Sequence, residues 1–391
     1  MIKVAYAYKN DGTSMSFNLE EKNKIDGKGE GTVYKIGTIS GFNGNFCAKI
    51  YHQKYRTQDR QNKVSFMTQN KPSVLSSDLV LICWPLLLLY DKPANGNFVG
   101  FVMYHAFEGS STMEELAMIV TQESFNNRLS VMSKTDKEIF VKFPRCWESS
   151  SGDYSEEEIK LLLNRFKVIA NIATIFNYLH STQKYVVIDI KPANLLLTAK
   201  AGVSLVDVDS IQIWENGKLL PTDVGTPGYL PPEHYVQQNL GTSPISVSYD
   251  LFALAVLFYE ILIGVHPFSC RPLGGKDYDI ERSIKEGCFR HGKNKAILIS
   301  NNPAHFLFDY LPSSIQTLFI QAFENMPNSR PRAREWFDEL KKIIVDLERG
   351  NNTLPKPINS VFQETKHCTQ CGKQYNKPTL KYCSYCGHKR K

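Results

Sequence analysis

Three stretches of this 391-residue chain carry residue types that could do chemistry together. The densest is VVIDIKPANLLL, Val186–Leu197, where Asp189, Lys191 and Asn194 interrupt an otherwise apolar run. Thirteen residues beyond Asn194, LVDVD places Asp207 at the end of a second apolar run. Upstream, IDGKGEGTVYK (Ile25–Lys35) has glycines at 27, 29 and 31 between strand-like flanks. Glycine lets a backbone approach phosphate oxygens without a Cβ clash, although the same glycines also suit a plain hairpin turn. Eighteen residues after Gly31 stands Lys49, flanked by Phe46, Cys47, Ala48 and Ile50; it is either an edge lysine facing water or a charge set inside an apolar strand. Phosphoryl transfer requires that phosphates be cradled, metal charge be supplied and an attacking hydroxyl be oriented in line. Each requirement has a candidate in this set.

A separate constellation lies near the C-terminal end: Cys368-x2-Cys371-x11-Cys383-x2-Cys386, with glycine after each pair. Four thiolates at this spacing suit a tetrahedral, closed and therefore structural Zn²⁺ site. Twenty-odd residues bury little core, so metal binding would fold such a module. Disulfides are the alternative, but paired C-x-x-C motifs in an intracellular chain point to metal first.

The elements that must position these residues follow from pattern and composition. With 42% hydrophobic and 22% charged residues, a mainly disordered chain is excluded. No basic n-region with an apolar stretch opens the sequence, so no secretory signal is expected. The most apolar runs, Leu79–Leu89 (broken by Pro85) and Leu251–Val265 (containing Glu260), are too short to span a bilayer and read as a buried strand and a buried helix. A cytoplasmic protein without membrane association is expected. The net charge of +7 resides in the tail, because seven Lys/Arg residues and no acid follow Lys366 inclusive. A neutral residue 1–365 body gives no electrostatic case for nucleic acid, and protein docking is the favoured role for the basic module. Strand-like alternation fills residues 1–50 and 79–107, whereas from Glu156 onward Ile159, Leu162, Leu163, Phe166, Ile169, Ala170 and Ile172 recur at helix spacing. Strands followed by helices give an α+β class with two lobes. The expected division is 1–106, 107–349, a linker over 350–365 and the cysteine module over 366–391.

The order of these motifs resembles eukaryotic-type (Hanks-type) serine/threonine protein kinases over Lys24–Leu347, and the variant motifs with a single short zinc ribbon resemble the bacterial members. The resemblance implies a β-rich N-lobe and an α-rich C-lobe, with ATP and Mg²⁺ as cofactors. It implies that Gly27, Gly29, Gly31 and Val33 form the glycine-rich loop, with the glycines displaced by one so that Asp26 and Lys28 occupy the first two expected positions. Lys49 would grip the α- and β-phosphates, with Cys47 in place of the small residue on adenine. Met103 would be the gatekeeper, Tyr104–Ala106 the hinge, and Leu196 a further nucleotide-contacting position. Asp189 would accept and orient the substrate hydroxyl, Lys191 would steady the γ-phosphate, and Asn194 and Asp207 would hold Mg²⁺. GTPGYLPPE (Gly225–Glu233) is similar to the end of a Ser/Thr-kinase activation segment, SYDLFALAVLFYEILIGVHPF (Ser248–Phe268) to the central C-lobe helix, and Arg330 to the partner of Glu233. Lys191 and Gly225–Thr226–Pro227 imply serine or threonine, not tyrosine, as acceptor on protein substrates.

Three departures set expectations of their own. His-Arg-Asp is replaced by Val187-Ile188-Asp189, which removes the arginine that receives an activation-loop phosphate, so activity independent of that phosphorylation is expected. Asp-Phe-Gly is replaced by Asp207-Val208-Asp209, with Asp209 expected to stiffen the turn. No glutamate occurs between Lys49 and Glu108. Either Asp59 substitutes for the helix glutamate that pairs with the lysine, or Lys49 is held otherwise. A pseudokinase, binding nucleotide or partners without transfer, is the competing reading.

Overall fold

Hydrophobic alternation in the first hundred residues resolves into one antiparallel sheet in the computed structural model, which describes residues 2–8, 12–27, 29–114, 129–143, 155–222, 225–237, 243–275, 278–300, 303–352 and 354–355. Its strands are β1 (Val4–Tyr8), β2 (Ser14–Asn18), β3 (Lys24–Asp26), β4 (Gly31–Gly37) and β5 (Phe46–Tyr51). After helix α1 (Gln58–Gln69) follow β6 (Val80–Ile82), β7 (Leu87–Tyr90) and β8 (Phe98–Tyr104). The sheet order is β2-β1-β7-β8-β5-β4-β3, with β6 outside it. Central β5 is buried along all six residues, so its two faces meet different cores. Phe46, Ala48 and Ile50 pack with Ala5, Phe17, Leu89 and Val102, while Cys47 and Tyr51 pack with Val64, Cys83, Phe101 and Met103. Lys49 therefore leaves the strand on the second face. Gly100 lets β8 close on it, because a Cβ there would stand 1.9 Å from the Lys49 carbonyl oxygen.

The apolar run Leu79–Leu89 is two strands and not one. Around Pro85 the chain leaves β6 and re-enters the sheet as β7, and β6 instead pairs in parallel with a strand of the second lobe. That lobe begins with β9 (Ser111–Thr112) and contains α2 (Lys134–Phe140), α3 (Glu156–Ser181), β10 (Tyr185–Val186), β11 (Leu195–Leu197), β12 (Val203–Leu205), β13 (Gln212–Glu215) and β14 (Lys218–Leu220). Beyond them lie α4 (Ser248–Ile263), α5 (Ser313–Glu324) and α6 (Ala333–Glu348). A four-stranded sheet, β6-β12-β11-β9, lies between the lobes and carries the strand that ends just before Asp207.

Helix α3 starts at a capping box, with Ser155 and Glu158 satisfying each other's backbone N–H, and three glutamates fill its first turn. Apart from Ser248, Asp250 and Glu260, helix α4 is apolar around its circumference, and such a helix has to be central. Fifteen of its sixteen residues are buried, and it ends where Gly264 takes φ +77°, a left-handed stop that glycine allows. Around it Phe166, Ile172 and Phe176 of α3, Phe319 of α5 and Trp336 and Leu340 of α6 form one continuous core. Among the described residues no helix is long and apolar enough to cross a membrane.

Candidate active site

The loop bearing Asp189 is held from below by α4. Asp250, in the first turn of that helix and fully buried, accepts the backbone N–H of Val187 at 2.8 Å and of Ile188 at 2.7 Å, with His180 Nε2 2.9 Å from the same carboxylate. Turning two successive amides toward one carboxylate puts Ile188 at φ +64°. A β-branched residue rarely adopts that left-handed conformation. Ile188 keeps it by burying its side chain among Val186, Leu230, Ile245 and Tyr249. An apolar pocket thus occupies the place where the family arginine would stand.

The backbone then presents Asp189 with its carboxylate fully engaged. Asn194 Nδ2 donates to the Asp189 carbonyl at 2.9 Å and to Oδ2 at 3.1 Å, and Lys191 Nζ lies 2.8 Å from Oδ2. Thr226 Oγ1 donates to Oδ1 at 2.5 Å while accepting from Lys191 Nζ at 3.1 Å. The sequence showed Thr226 only as part of a segment; the structure makes it a bridge between the lysine and the carboxylate.

Asp207 follows β12 in the left-handed conformation, φ +56°, and its side chain is 55% exposed. Lys49 Nζ reaches it at 3.2 Å and reaches Asp209 at 2.7 Å. Asp59 is exposed on the first turn of α1, so of the two alternatives left open by the missing glutamate, Lys49 is held otherwise, by Asp209. The Asp209 carboxylate is 1% exposed, accepts the Tyr51 hydroxyl at 2.6 Å and lies 3.5 Å from Arg60. Burial by itself opposes charge on both partners. On Lys49 the Asp209 and Asp207 carboxylates outweigh it and hold the ammonium well above the ordinary lysine range. On Asp209 the Lys49 charge and the hydrogen bonds from Lys49 and Tyr51, with Arg60, bring the carboxyl below its usual value. The pair is ionised. An aspartate in the glycine position was visible in the sequence, as was the absence of a glutamate, but nothing in the sequence joined the two.

The expected nucleotide positions other than Leu196 lie on β4, β5 and β8 or in the segments directly beside them. Gly29 turns the chain at φ +77°, and Gly31 lies so close to β5 that a Cβ would stand 2.6 Å from the Ile50 carbonyl oxygen. Gly27 N–H donates to its neighbour Asp26 at 2.7 Å. Val33 faces Lys49 across the β4–β5 ladder, and Cys47 faces Met103 across β5–β8. Cys47 and Met103 share one apolar cluster, against which Val33, Tyr104 and Ala106 pack. Burial pushes the Cys47 thiol up to about 12, so it serves as a small packing residue. Leu196 belongs to the other sheet, opposite Ser204, whose Oγ accepts the Phe107 N–H at 3.1 Å directly after the hinge segment. The donor set suits Mg²⁺: Asp207 offers an exposed carboxylate, and Asn194, whose NH₂ is committed to Asp189, would have its side-chain oxygen to offer a cation. Cys368, Cys371, Cys383 and Cys386 lie outside the described residues. Among the described residues no group of three or more His, Cys, Asp or Glu side chains forms a metal-binding cluster.

The segment Gly225–Glu233 is tied to the helical lobe at three points. The Tyr229 hydroxyl donates to Glu260 Oε2 at 2.6 Å, His266 Nε2 meets the Gly228 carbonyl at 2.9 Å, and Arg330 grips Glu233 through two nitrogens at 2.6 and 2.8 Å. Burial pushes Glu260 up to about 7, with the tyrosine hydrogen bond acting the other way.

A β-rich lobe with a buried lysine, set on a helical lobe with an anchored aspartate loop and a second, solvent-facing aspartate, defines a two-lobed phosphotransfer fold. The chain belongs to the protein kinase family, since the sequence pattern of the protein kinase domain matches residues 103–340. It is similar to Protein kinase YegI of Escherichia coli O157:H7, 26% identical over 349 residues that cover 88% of this chain and 46% of the relative. YegI of Escherichia coli strain K12 is 28% identical over 327 residues, 82% of this chain and 44% of the relative. Serine/threonine-protein kinase 17A of Oryctolagus cuniculus is 30% identical over 166 residues, 42% of this chain and 38% of that protein. The chain thus spans less than half the length of these curated relatives. Among solved structures it is similar to a ROP18 kinase domain in complex with AMP-PNP and sucrose, at 16% identity and TM-score 0.49, covering 88% of this chain and 86% of that one.

Proposed function

We propose that this protein is a serine/threonine protein kinase that moves the γ-phosphoryl group of ATP onto hydroxyls of protein substrates. The observation that carries this reading is the Asp189 carboxylate, fixed by Asn194, Lys191 and Thr226. In this reading Asp189 receives the proton of the substrate hydroxyl as its oxygen attacks the γ-phosphorus and ADP departs, and Lys191 places positive charge beside the transferring group. Lys49 holds the α- and β-phosphates. Asn194 and Asp207 would hold Mg²⁺, which supplies charge neutralisation on the phosphates. Gly27, Gly29, Gly31 and Val33 cover the phosphates, while Cys47, Met103, Tyr104, Ala106 and Leu196 line the adenine site. The Lys191–Thr226–Asp189 contacts favour serine and threonine as acceptors. Asp209 answers the feature that spoke for a pseudokinase, the lysine without a glutamate.

We assign residues 1–106 to the N-lobe, 107–349 to the C-lobe, 350–365 to a linker and 366–391 to a zinc ribbon for docking proteins, in a cytoplasmic kinase of the bacterial group. The test is transfer of labelled γ-phosphate from Mg·ATP to the protein and to a generic acceptor, wild type against Asp189→Asn. Label on serine or threonine that falls by about 10²-fold or more in the variant is the expected result. ATP binding with no label in the wild type overturns the proposal.

A further inference from the structure

We infer that Asp209 is the residue that positions Lys49 for the nucleotide phosphates, so that the lysine is aligned by the turn after β12 and not by helix α1. The inference rests on the kinase reading above. Among the described residues the carboxylates within ion-pair distance of Lys49 are those of Asp207 and Asp209, and only Asp209 is buried. Its two oxygens have separate duties. Oδ1 takes Lys49 at 2.7 Å, while Oδ2 takes the Tyr51 hydroxyl at 2.6 Å and lies 3.5 Å from Arg60. Tyr51 is two residues beyond Lys49 on β5 and therefore leaves the strand on the same face. The carboxylate is thus fixed in rotation as well as in place.

Helix α1 contributes cations where a glutamate would be needed. Arg60 joins Asp209 to Glu30, at 2.7 Å from the latter, and Lys63 donates to the carbonyls of Ser210 at 3.2 Å and Pro221 at 3.0 Å. Charge has been exchanged between helix and loop. A consequence follows from spacing. Asp207 and Asp209 flank Val208 at the start of one 3-10 turn, Val208–Ser210, so the lysine anchor and the proposed metal-holding carboxylate are set by a single element. In an arrangement with a helix-borne anion, lysine alignment depends on where the helix stands. Here it depends on the turn, and α1 is docked to that turn without controlling the lysine.

The test is a double-mutant cycle on the full chain with Lys49→Met, Asp209→Asn and both, alongside Arg60→Gln and Tyr51→Phe. The readouts are Mg·ATP affinity by calorimetry and nucleotide-free thermal unfolding. Lys49→Met and Asp209→Asn are each expected to weaken Mg·ATP by about tenfold or more. The double variant should match Lys49→Met within about threefold, because Asp209 acts through the lysine. Arg60→Gln should stay within about twofold of wild type and above the Tyr51→Phe affinity. Multiplied effects in the double variant, or an Arg60→Gln loss equal to that of Asp209→Asn, overturn the inference. If Asp209→Asn fails to fold, Tyr51→Phe decides, since it loosens Oδ2 while keeping every charge. It should weaken Mg·ATP by about threefold, the size of one lost hydrogen bond, and an unchanged affinity overturns the inference. Wild type that binds Mg·ATP without transferring phosphate overturns only the kinase reading, and the cycle still decides on Asp209. Wild type that binds no Mg·ATP overturns both.

Discussion

Replacing Asp250 by asparagine separates the anchoring of the Asp189 loop from the chemistry at its tip. Both Asp250 oxygens are acceptors, Oδ2 for Val187 N–H and Oδ1 for Ile188 N–H, and the residue is fully buried. Asparagine keeps one acceptor and turns an NH₂ toward the other amide. The lost charge-assisted bond and the stranded donor together cost about 3 kcal/mol. Ile188, no longer held at φ +64°, recovers about 1 kcal/mol by leaving the left-handed region. The net loss is about 2 kcal/mol, which for a lobe of this size lowers Tm by roughly 4–8 °C. Once Ile188 relaxes, Asp189 moves with it, and a misplacement near 1 Å costs about 10²-fold in transfer. Scanning calorimetry gives the first number, and initial rates at saturating Mg·ATP give the second. Affinity for Mg·ATP should change little, because Lys49 and the strands around it do not touch Asp250. A Tm within about 2 °C of wild type, combined with an unchanged kcat, would refute the claim that Asp250 holds the loop in a strained shape.

Glu260→Gln should stabilise the protein at alkaline pH. The carboxyl is raised from 4.5 to about 7 in the fold, so stability declines as pH rises from 4.5 to 7 and the full cost is carried above 7. The amide that replaces the carboxyl does not ionise, and its oxygen still accepts from Tyr229. The variant should therefore gain up to about 3 kcal/mol at pH 8 and nothing below pH 4.5, and parallel pH profiles of unfolding would contradict this. Phosphatase treatment should leave the transfer rate unchanged, because Ile188 fills with apolar packing the place of a phosphate-receiving arginine; a lower rate afterwards sinks the idea. Metal analysis should find one Zn²⁺ per chain, lost in a Cys371→Ser/Cys383→Ser variant without a change in Tm of the two lobes. A zinc-free wild type would return the four cysteines to the disulfide reading.

The two-lobed kinase fold was legible, and a role for the aspartate loop could be proposed, because both are written locally. Alternation of period two and an apolar run with helix spacing report which elements form. Asp189, Lys191 and Asn194 lie within six residues, so their chemistry can be read as a motif. The apolar run Leu251–Val265 already read as a buried helix, and α4 is buried along nearly its whole length. Pro85 marked a break in Leu79–Leu89, yet the partner of β6 in the second lobe was not visible, because a parallel pairing with β12 joins residues far apart in the chain. The same reason hid the partner of Lys49. The reading of Asp209 as a stiffener of its own turn considered only its neighbours, whereas 160 positions separate it from the lysine it holds. Thr226 was likewise a letter in a segment until folding placed it against Asp189. Sequence by itself determined which residue types could do phosphate chemistry and in what order. Tertiary structure decided which charge answers which, because an ion pair depends on distance in space and on burial, and neither is a property of spacing along the chain.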